Sequence, residues 1–265
     1  MLEKLLITGA GGALGTMVRP RLGHVAKSLR VTARREIPLN GPDEELMIGD
    51  LADAAFVDRL VEGCDGVLHL GGVSVEQPFA PILQGNIVGM YNLYDAAQKA
   101  GQPRILFASS NHAIGYHPVT KRLDANSVPR PDGLYGVSKV FGEALATMYF
   151  DKLGQETAIV RIGSCYAKPK DHRMLSTWLS PNDFISLISR VFQVKTLGCP
   201  IIYGASDNDA GWWDNSQTLD LGWVPKDNSE HFRAELDAKV EKPAPDDIAA
   251  RYQGGSFAAA PIRKD

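Results

Sequence analysis

Little in the sequence points to metal, nucleic acid or membrane. There are only three cysteines, Cys64, Cys165 and Cys199, far apart and odd in number. Without a CxxC pair or Cys/His ligand spacing, no structural zinc or other metal site is expected. A reducing, cytoplasmic setting suits this usage best. Net charge is scant as well. The 28 Lys+Arg against 31 Asp+Glu leave −3, without the basic excess of a protein that holds a nucleic-acid backbone. Long apolar runs are missing. The N-terminal run ending at Thr8 is too short to span a bilayer and has no signal-peptide cleavage pattern, so it reads as a first buried strand and no membrane partner is expected.

What remains is ordinary globular composition: 265 residues, 44% hydrophobic and 22% charged, enough for one large α/β domain with a small annex. Six short apolar runs recur at 5–8, 28–32, 45–49, 66–70, 104–108 and 157–162. None alternates, which suits strands buried on both faces. Helical patterns at 14–22, 54–62, 87–100 and 135–152 separate them, and Gly101, Pro103 and Gly154 supply stop signals. The order predicts an α/β, Rossmann-type, doubly wound parallel sheet. Beyond about residue 165 the pattern is less regular and carries all four tryptophans, Trp178, Trp212, Trp213 and Trp223. We expect a dinucleotide-binding core over 1–164 and, over 165–265, a small C-terminal substrate lobe that does not fold independently. From about Val240 the chain is rich in Pro, Ala and Gly. That tail either wraps the body, contacts another subunit, or is free.

Directly after the first strand, Gly9, Gly12 and Gly15 form a GxxGxxG turn that also contains Ala13 and Leu14. Glycines there permit the tight bend, close approach of backbone to a diphosphate, and close helix–sheet packing. Amides at the helix start then face the diphosphate. The alternative is a glycine-rich turn without a ligand. After the second strand a dinucleotide site normally presents a carboxylate to the ribose 2′-hydroxyl. Here Ala33, Arg34 and Arg35 occupy that place, and Glu36 comes too late. Ala33 removes repulsion against a 2′-phosphate, and either arginine can pair with one. The expected cofactor is NAD or NADP, with acceptance of NADP argued from this stretch unless both arginines are simply solvated. Asp50-Leu51, after the third strand, either meets the adenine amino group or caps the next helix. Leu70, Gly71 and Gly72, after the fourth, leave room for the dinucleotide or form a plain turn.

Tyr135 and Lys139 are four residues apart and share a helix face. A free phenol has a pKa of about 10, too high for a base at neutral pH, and a nearby ammonium favours the phenolate. Tyr135 then takes a hydroxyl proton as hydride leaves for the cofactor. YxxxK alone is weak. It gains weight from Ser109-Ser110 at the carboxyl end of the strand over 104–108, where open parallel sheets bind ligands. Ser110 suits stabilisation of the reacting oxygen. Capping is the competing role for either serine.

Together Gly9, Gly12 and Gly15, Asp50-Leu51, Ser110 and Tyr135-xxx-Lys139 resemble the extended short-chain dehydrogenase/reductase superfamily. Closer still, the segments 69–76, 108–112, 161–164, 173–178 and 212–215 are similar to bacterial uronate dehydrogenases, over nearly the whole length. The resemblance implies oxidation of C1 of glucuronate or galacturonate to the aldarolactone, commonly with NAD, by a homo-oligomer. It implies that Tyr135 is the base and that Ser74, Ser110, Asn111, His112, Ser164 and Arg173 line the sugar-acid pocket. Arg173 has the guanidinium fork that a carboxylate wants. Ser74, Asn111 and Ser164 suit neutral hydroxyls. Their bland alternatives are a surface ion pair for Arg173, a structural histidine for His112, and turn roles for the others. The chain departs from the family at Ala33, where aspartate is usual. Two other functions remain open: a nucleotide-sugar epimerase or dehydratase, for which the 100 residues after Cys165 are a small allowance, and a non-catalytic NAD(P)-sensing regulator.

Overall fold

The computed structural model describes residues 1–264; Asp265, the last residue of the expected lobe, lies outside them. β1 (Leu2–Thr8) passes through the glycine turn into α1 (Ala13–Val18), which a 3-10 turn, Arg19–Arg21, extends. Then come β2 (Ala26–Ala33), β3 (Glu44–Ile48), α2 (Ala54–Val61), β4 (Gly66–His69), α3 (Phe79–Ile82), a π-helical stretch Leu83–Val88, and α4 (Gly89–Lys99). β5 (Arg104–Ser110) leads into a 3-10 turn, Asn111–Ile114, followed by the long α5 (Leu134–Leu153) and β6 (Thr157–Ile162). The remainder holds β7 (Ser164–Cys165), α6 (Met174–Thr177), β8 (Trp178–Leu179), α7 (Pro181–Gln193), β9 (Ile201–Gly204), α8 (Arg233–Lys239), α9 (Ile248–Arg251) and α10 (Ser256–Ala259).

Seven strands form one sheet in the order β3-β2-β1-β4-β5-β6-β9, every pair parallel. The strand order reverses between β1 and β4, and this is the topological switch point at which doubly wound sheets open a ligand crevice. Apolar runs without alternation make sense in this sheet because both faces are covered. Leu5, Ile7, Val31 and Leu68 face one core with Phe184, Leu187, Ile188 and Val191 of α7. Leu6, Val67 and Ile105 face the other, with Leu60 of α2, Leu93 of α4 and Ala146 of α5. Each such Val, Leu, Ile or Phe side chain taken from water contributes about 1.5–3 kcal/mol.

The first six strands fall within a few residues of their expected places. After residue 165 the chain is more regular than its composition suggests. α7 is a thirteen-residue helix, with Ser180 accepting from Asp183 N at its start and Pro181 in its first turn. It covers one face of the sheet, and β9 adds the seventh strand, so the sheet draws on both sides of residue 164. Those start signals stand in the sequence itself. The helix expected over 87–100 is regular only from Gly89, because the turn before it is widened to π form. The tail wraps the body. Tyr252 bridges Pro118, and Gln253 N and Gly254 N donate to the carbonyls of His117 and Gly115.

Candidate active site

At the carboxyl ends of β1, β2 and β4 the structure opens a cleft of about 790 Å³, within the usual range for a small-molecule site. Gly9, Gly12, Ala13, Leu14 and Gly15 line it, and so do Ala33, Arg34, Arg35, Asp50, Leu51, Leu70, Gly71, Gly72 and Ser74. Gly9 has φ +68°, and a Cβ on it would lie 2.7 Å from the Leu70 carbonyl; one on Gly15 would lie 2.5 Å from the Gly9 carbonyl. Both glycines are thus required by the close approach of β1, α1 and β4. Thr8 ties the same corner together: Gly71 N donates to its hydroxyl (2.9 Å), which in turn meets His69 Nδ1 (2.7 Å). Burial pulls His69 down to about 3, so its ring is neutral there. Asp50 accepts from Ala52 N (2.9 Å) and remains exposed in the cleft, whereas the cap of α2 is Asp53 (3.1 Å to Phe56 N). Arg34 and Arg35 are exposed and form no ion pair among the described residues. A backbone cradle that admits no side chain, opening into a cleft of this volume, fits a nicotinamide dinucleotide.

Beside this cleft, Tyr135 and Lys139 stand on successive turns of α5, both nearly fully buried. Lys139 Nζ donates to the Ala108 carbonyl (2.8 Å) and lies 5.6 Å from the Tyr135 ring centroid. Ser110 Oγ accepts from His112 N (3.2 Å), and its hydroxyl acts on the Tyr135 phenol to favour the ionised form. The expected acidification of the phenol does not appear in the protein alone. Burial pushes Tyr135 up to about 12, the Ser110 hydrogen bond opposing and the Asp132 carboxylate adding to the rise. Burial likewise pulls Lys139 down to about 8, against the Glu143 carboxylate. The dry environment disfavours both charged forms.

Several residues that sequence reasoning missed hold this pair in place. Glu76 accepts from Leu134 N (3.0 Å) and Tyr135 N (2.9 Å), placing a carboxylate on the first turn of α5. Asn86 grips Val73 through N and O and donates to Ser138 Oγ on α5 (2.8 Å). Deeper along the helix, Glu143 takes both Arg161 Nε (2.9 Å) and Nη2 (2.8 Å), and Ser109 Oγ donates to it (2.6 Å). Ser109 is therefore a strut of the helix, and Ser110 alone faces the reacting region. No local pattern marks these contacts, since they join residues 13 to 59 positions apart.

The residues expected to meet a sugar acid fall into two places. Ser74 is exposed on the dinucleotide cleft. Ser110, Asn111 and His112 follow one another at the end of β5, around Tyr135. With its amide oriented to satisfy both atoms, Asn111 donates to the Ile162 carbonyl (3.1 Å) and accepts from Arg173 Nη2 (2.5 Å). Arg173 Nε donates to the Gln253 carbonyl (2.7 Å), so the tail holds the guanidinium. Ser164 is buried against Thr177 (3.0 Å). Phe257, also from the tail, stacks on His112 at 3.9 Å.

Comparison with known proteins gives a consistent picture. Residues 5–183 match the NAD dependent epimerase/dehydratase family. A uronate dehydrogenase of Agrobacterium fabrum is 58% identical, with 99% of both chains covered. A crystal structure of uronate dehydrogenase from Agrobacterium tumefaciens, a tyrosine-to-alanine mutant complexed with NAD, superimposes with a TM-score of 0.97 at 57% identity and 99% coverage of both chains. Glucuronic acid dehydrogenase from Chromohalobacter salexigens also gives 0.97, at 52% identity, covering 99% of this chain and 98% of that one.

The Glu76 contacts generate a prediction. Glu76→Ala removes an acceptor from two amides of α5, and we expect a loss of about 1–2 kcal/mol of stability. Urea unfolding measures it, and an unchanged midpoint would show that the carboxylate does not anchor the helix.

Proposed function

From the premise that the chain belongs to the NAD dependent epimerase/dehydratase family and, within it, to the uronate dehydrogenases, we propose that it oxidises C1 of D-glucuronate or D-galacturonate to the aldarolactone. The observation that carries this reading is the meeting of Tyr135 and Lys139 of α5 with the carboxyl end of β5, where Ser110 is followed directly by Asn111 and its partner Arg173. When bound, NAD supplies the acceptor for the hydride that leaves C1.

Tyr135 takes the proton of the C1 hydroxyl. Its burial holds the resting phenol neutral, so the base forms only when positive charge nearby offsets that burial. Lys139 is already present in the free protein and does not by itself bring the phenol down. Its amine is pulled down to about 8, near neutrality, where it readily exchanges a proton. Ser110 hydrogen-bonds the reacting oxygen and keeps it against the phenol. Arg173 spends Nε on Gln253 and one Nη2 proton on Asn111. Its Nη1 stays free among the described residues to take the uronate carboxylate. Asn111, His112, Ser74 and Ser164 bind the hydroxyls, and Thr177 holds the Ser164 hydroxyl in place.

A finer reading concerns the cofactor. Ala33 adds no charge at the cleft edge where Arg34 and Arg35 stand unpaired. Acceptance of NADP alongside NAD follows, because a 2′-phosphate there finds cations and no carboxylate.

Two experiments test these statements. Tyr135→Phe is expected to lower kcat on glucuronate by about 10²–10⁴-fold while dinucleotide binding stays within about threefold; surviving turnover would displace Tyr135 as the base. Ala33→Asp is expected to raise the NAD:NADP ratio of kcat/KM by about tenfold or more, the scale of one charged contact. An unchanged ratio would place the 2′-position elsewhere.

A further inference from the structure

Apart from the negative charge it adds near Tyr135, Asp132 has no role assigned so far, yet a small structure is built around it. Its side chain is completely buried, and Oδ2 lies 2.8 Å from His112 Nδ1. Gly115, after β5, and Gly254, in the tail, abut that oxygen so closely that a side chain on either would take its space. The two glycines are held together by Gly254 N donating to the Gly115 carbonyl (2.8 Å). Asp132 N donates to the His112 carbonyl (3.3 Å). The other carboxylate oxygen, Oδ1, is buried without a partner, an arrangement that costs stability and that packing alone would not favour.

The ring at the far end of this contact is fixed on its other sides. Phe257 stacks on it with planes 23° apart, and Tyr135 meets it edge-on at 5.7 Å between centroids. Nε2 has no partner among the described residues. A carboxylate only accepts hydrogen bonds, and a neutral imidazole has one donor and one acceptor nitrogen. A proton placed on Nδ1 by Asp132 therefore leaves a lone pair on Nε2.

We propose that Asp132 is a positioning residue that holds His112 in the Nδ1–H tautomer, so that Nε2 accepts a hydrogen bond from a hydroxyl of the sugar acid. The pocket then has two ends of opposite character. Arg173 only donates and takes the carboxylate, while His112 only accepts and repels one. This polarity sets which way round the sugar acid enters and directs its carboxylate away from Tyr135. The proposal rests on His112 lining the sugar pocket.

Long-range ¹H–¹⁵N correlation at about pH 8, above the ordinary imidazole range, tests the tautomer without substrate. The His112 signals are assigned by their loss in His112→Gln. We expect a protonated Nδ1 and a bare Nε2, and Asp132→Asn, whose amide can donate to Nδ1, is expected to shift the ring toward Nε2–H. In kinetics, Asp132→Asn is expected to raise KM for glucuronate about tenfold, with kcat and NAD affinity within about threefold. The same change in a His112→Gln background is expected to add nothing, because Asp132 acts through the ring. A wild-type ring protonated on Nε2, unchanged signals in Asp132→Asn, or additive effects of the two substitutions would overturn the proposal. Absence of uronate turnover in the wild type would instead overturn the functional reading, with the ¹⁵N result standing on its own.

Discussion

A phenol and an amine share one buried helix face, and the cost of charging either of them in that dry setting governs the proposed chemistry. Tyr135 rises to about 12 and Lys139 falls to about 8 for the same reason, withdrawal from water. Spacing on the helix is therefore only part of the arrangement. In the proposed reaction Tyr135 is a base that stays neutral in the free protein and needs positive charge brought next to it. A phenol already ionised in the resting protein would be free to abstract protons without a hydride acceptor in place. Burial prevents this, and Ser110 offsets part of its cost.

Such a pair works only if it is held firmly, and α5 is fastened along its length for that purpose. Glu76 seizes its first amides, Asn86 its second turn through Ser138, and the Glu143–Arg161 pair its middle. A buried ion pair of this kind contributes little net stability, but breaking it by removing one partner is costly. Its value lies in allowing one register of α5 against β5 and β6. The tail completes the other wall by orienting Arg173 through Gln253 and stacking Phe257 on His112. Gln253 itself is wholly buried, with Trp213, Pro118 and Lys121 on its amide. In the proposed site the glycine turn after β1 serves the dinucleotide side, and Gln253 and Phe257 of the tail serve the sugar side.

Much of this was legible from local signals. Strands buried on both faces leave unbroken apolar runs, and the first six were found for that reason. Gly9 and Gly15 could be read because backbone conformation and close approach leave no other residue possible. Tyr135, Lys139 and Ser110 carry unusual chemistry at fixed spacing. Contacts between distant segments were not legible. Glu76, Asn86, Asp132 and Gln253 resemble ordinary polar surface residues until folding buries them. Ser109 and Ser110 could be separated only by seeing that strand β5 points one at Glu143 and the other at Tyr135. α7 is a different case, since Ser180, Pro181 and the apolar spacing from Phe184 to Phe192 were sufficient to find it. The electrostatics failed most instructively. A neighbouring cation suggests an acidic phenol, but the magnitude of burial, invisible in sequence, reverses the sign.

The direct test is an NMR titration of Tyr135 with ¹³Cζ-labelled tyrosine, its signal assigned with Tyr135→Phe. In the free protein the phenol should remain protonated beyond the ordinary value of about 10, and its midpoint should fall when NAD is bound but not when NADH is. A free protein whose Tyr135 ionises near neutral pH, or a midpoint that ignores the charge of the bound cofactor, would contradict the account.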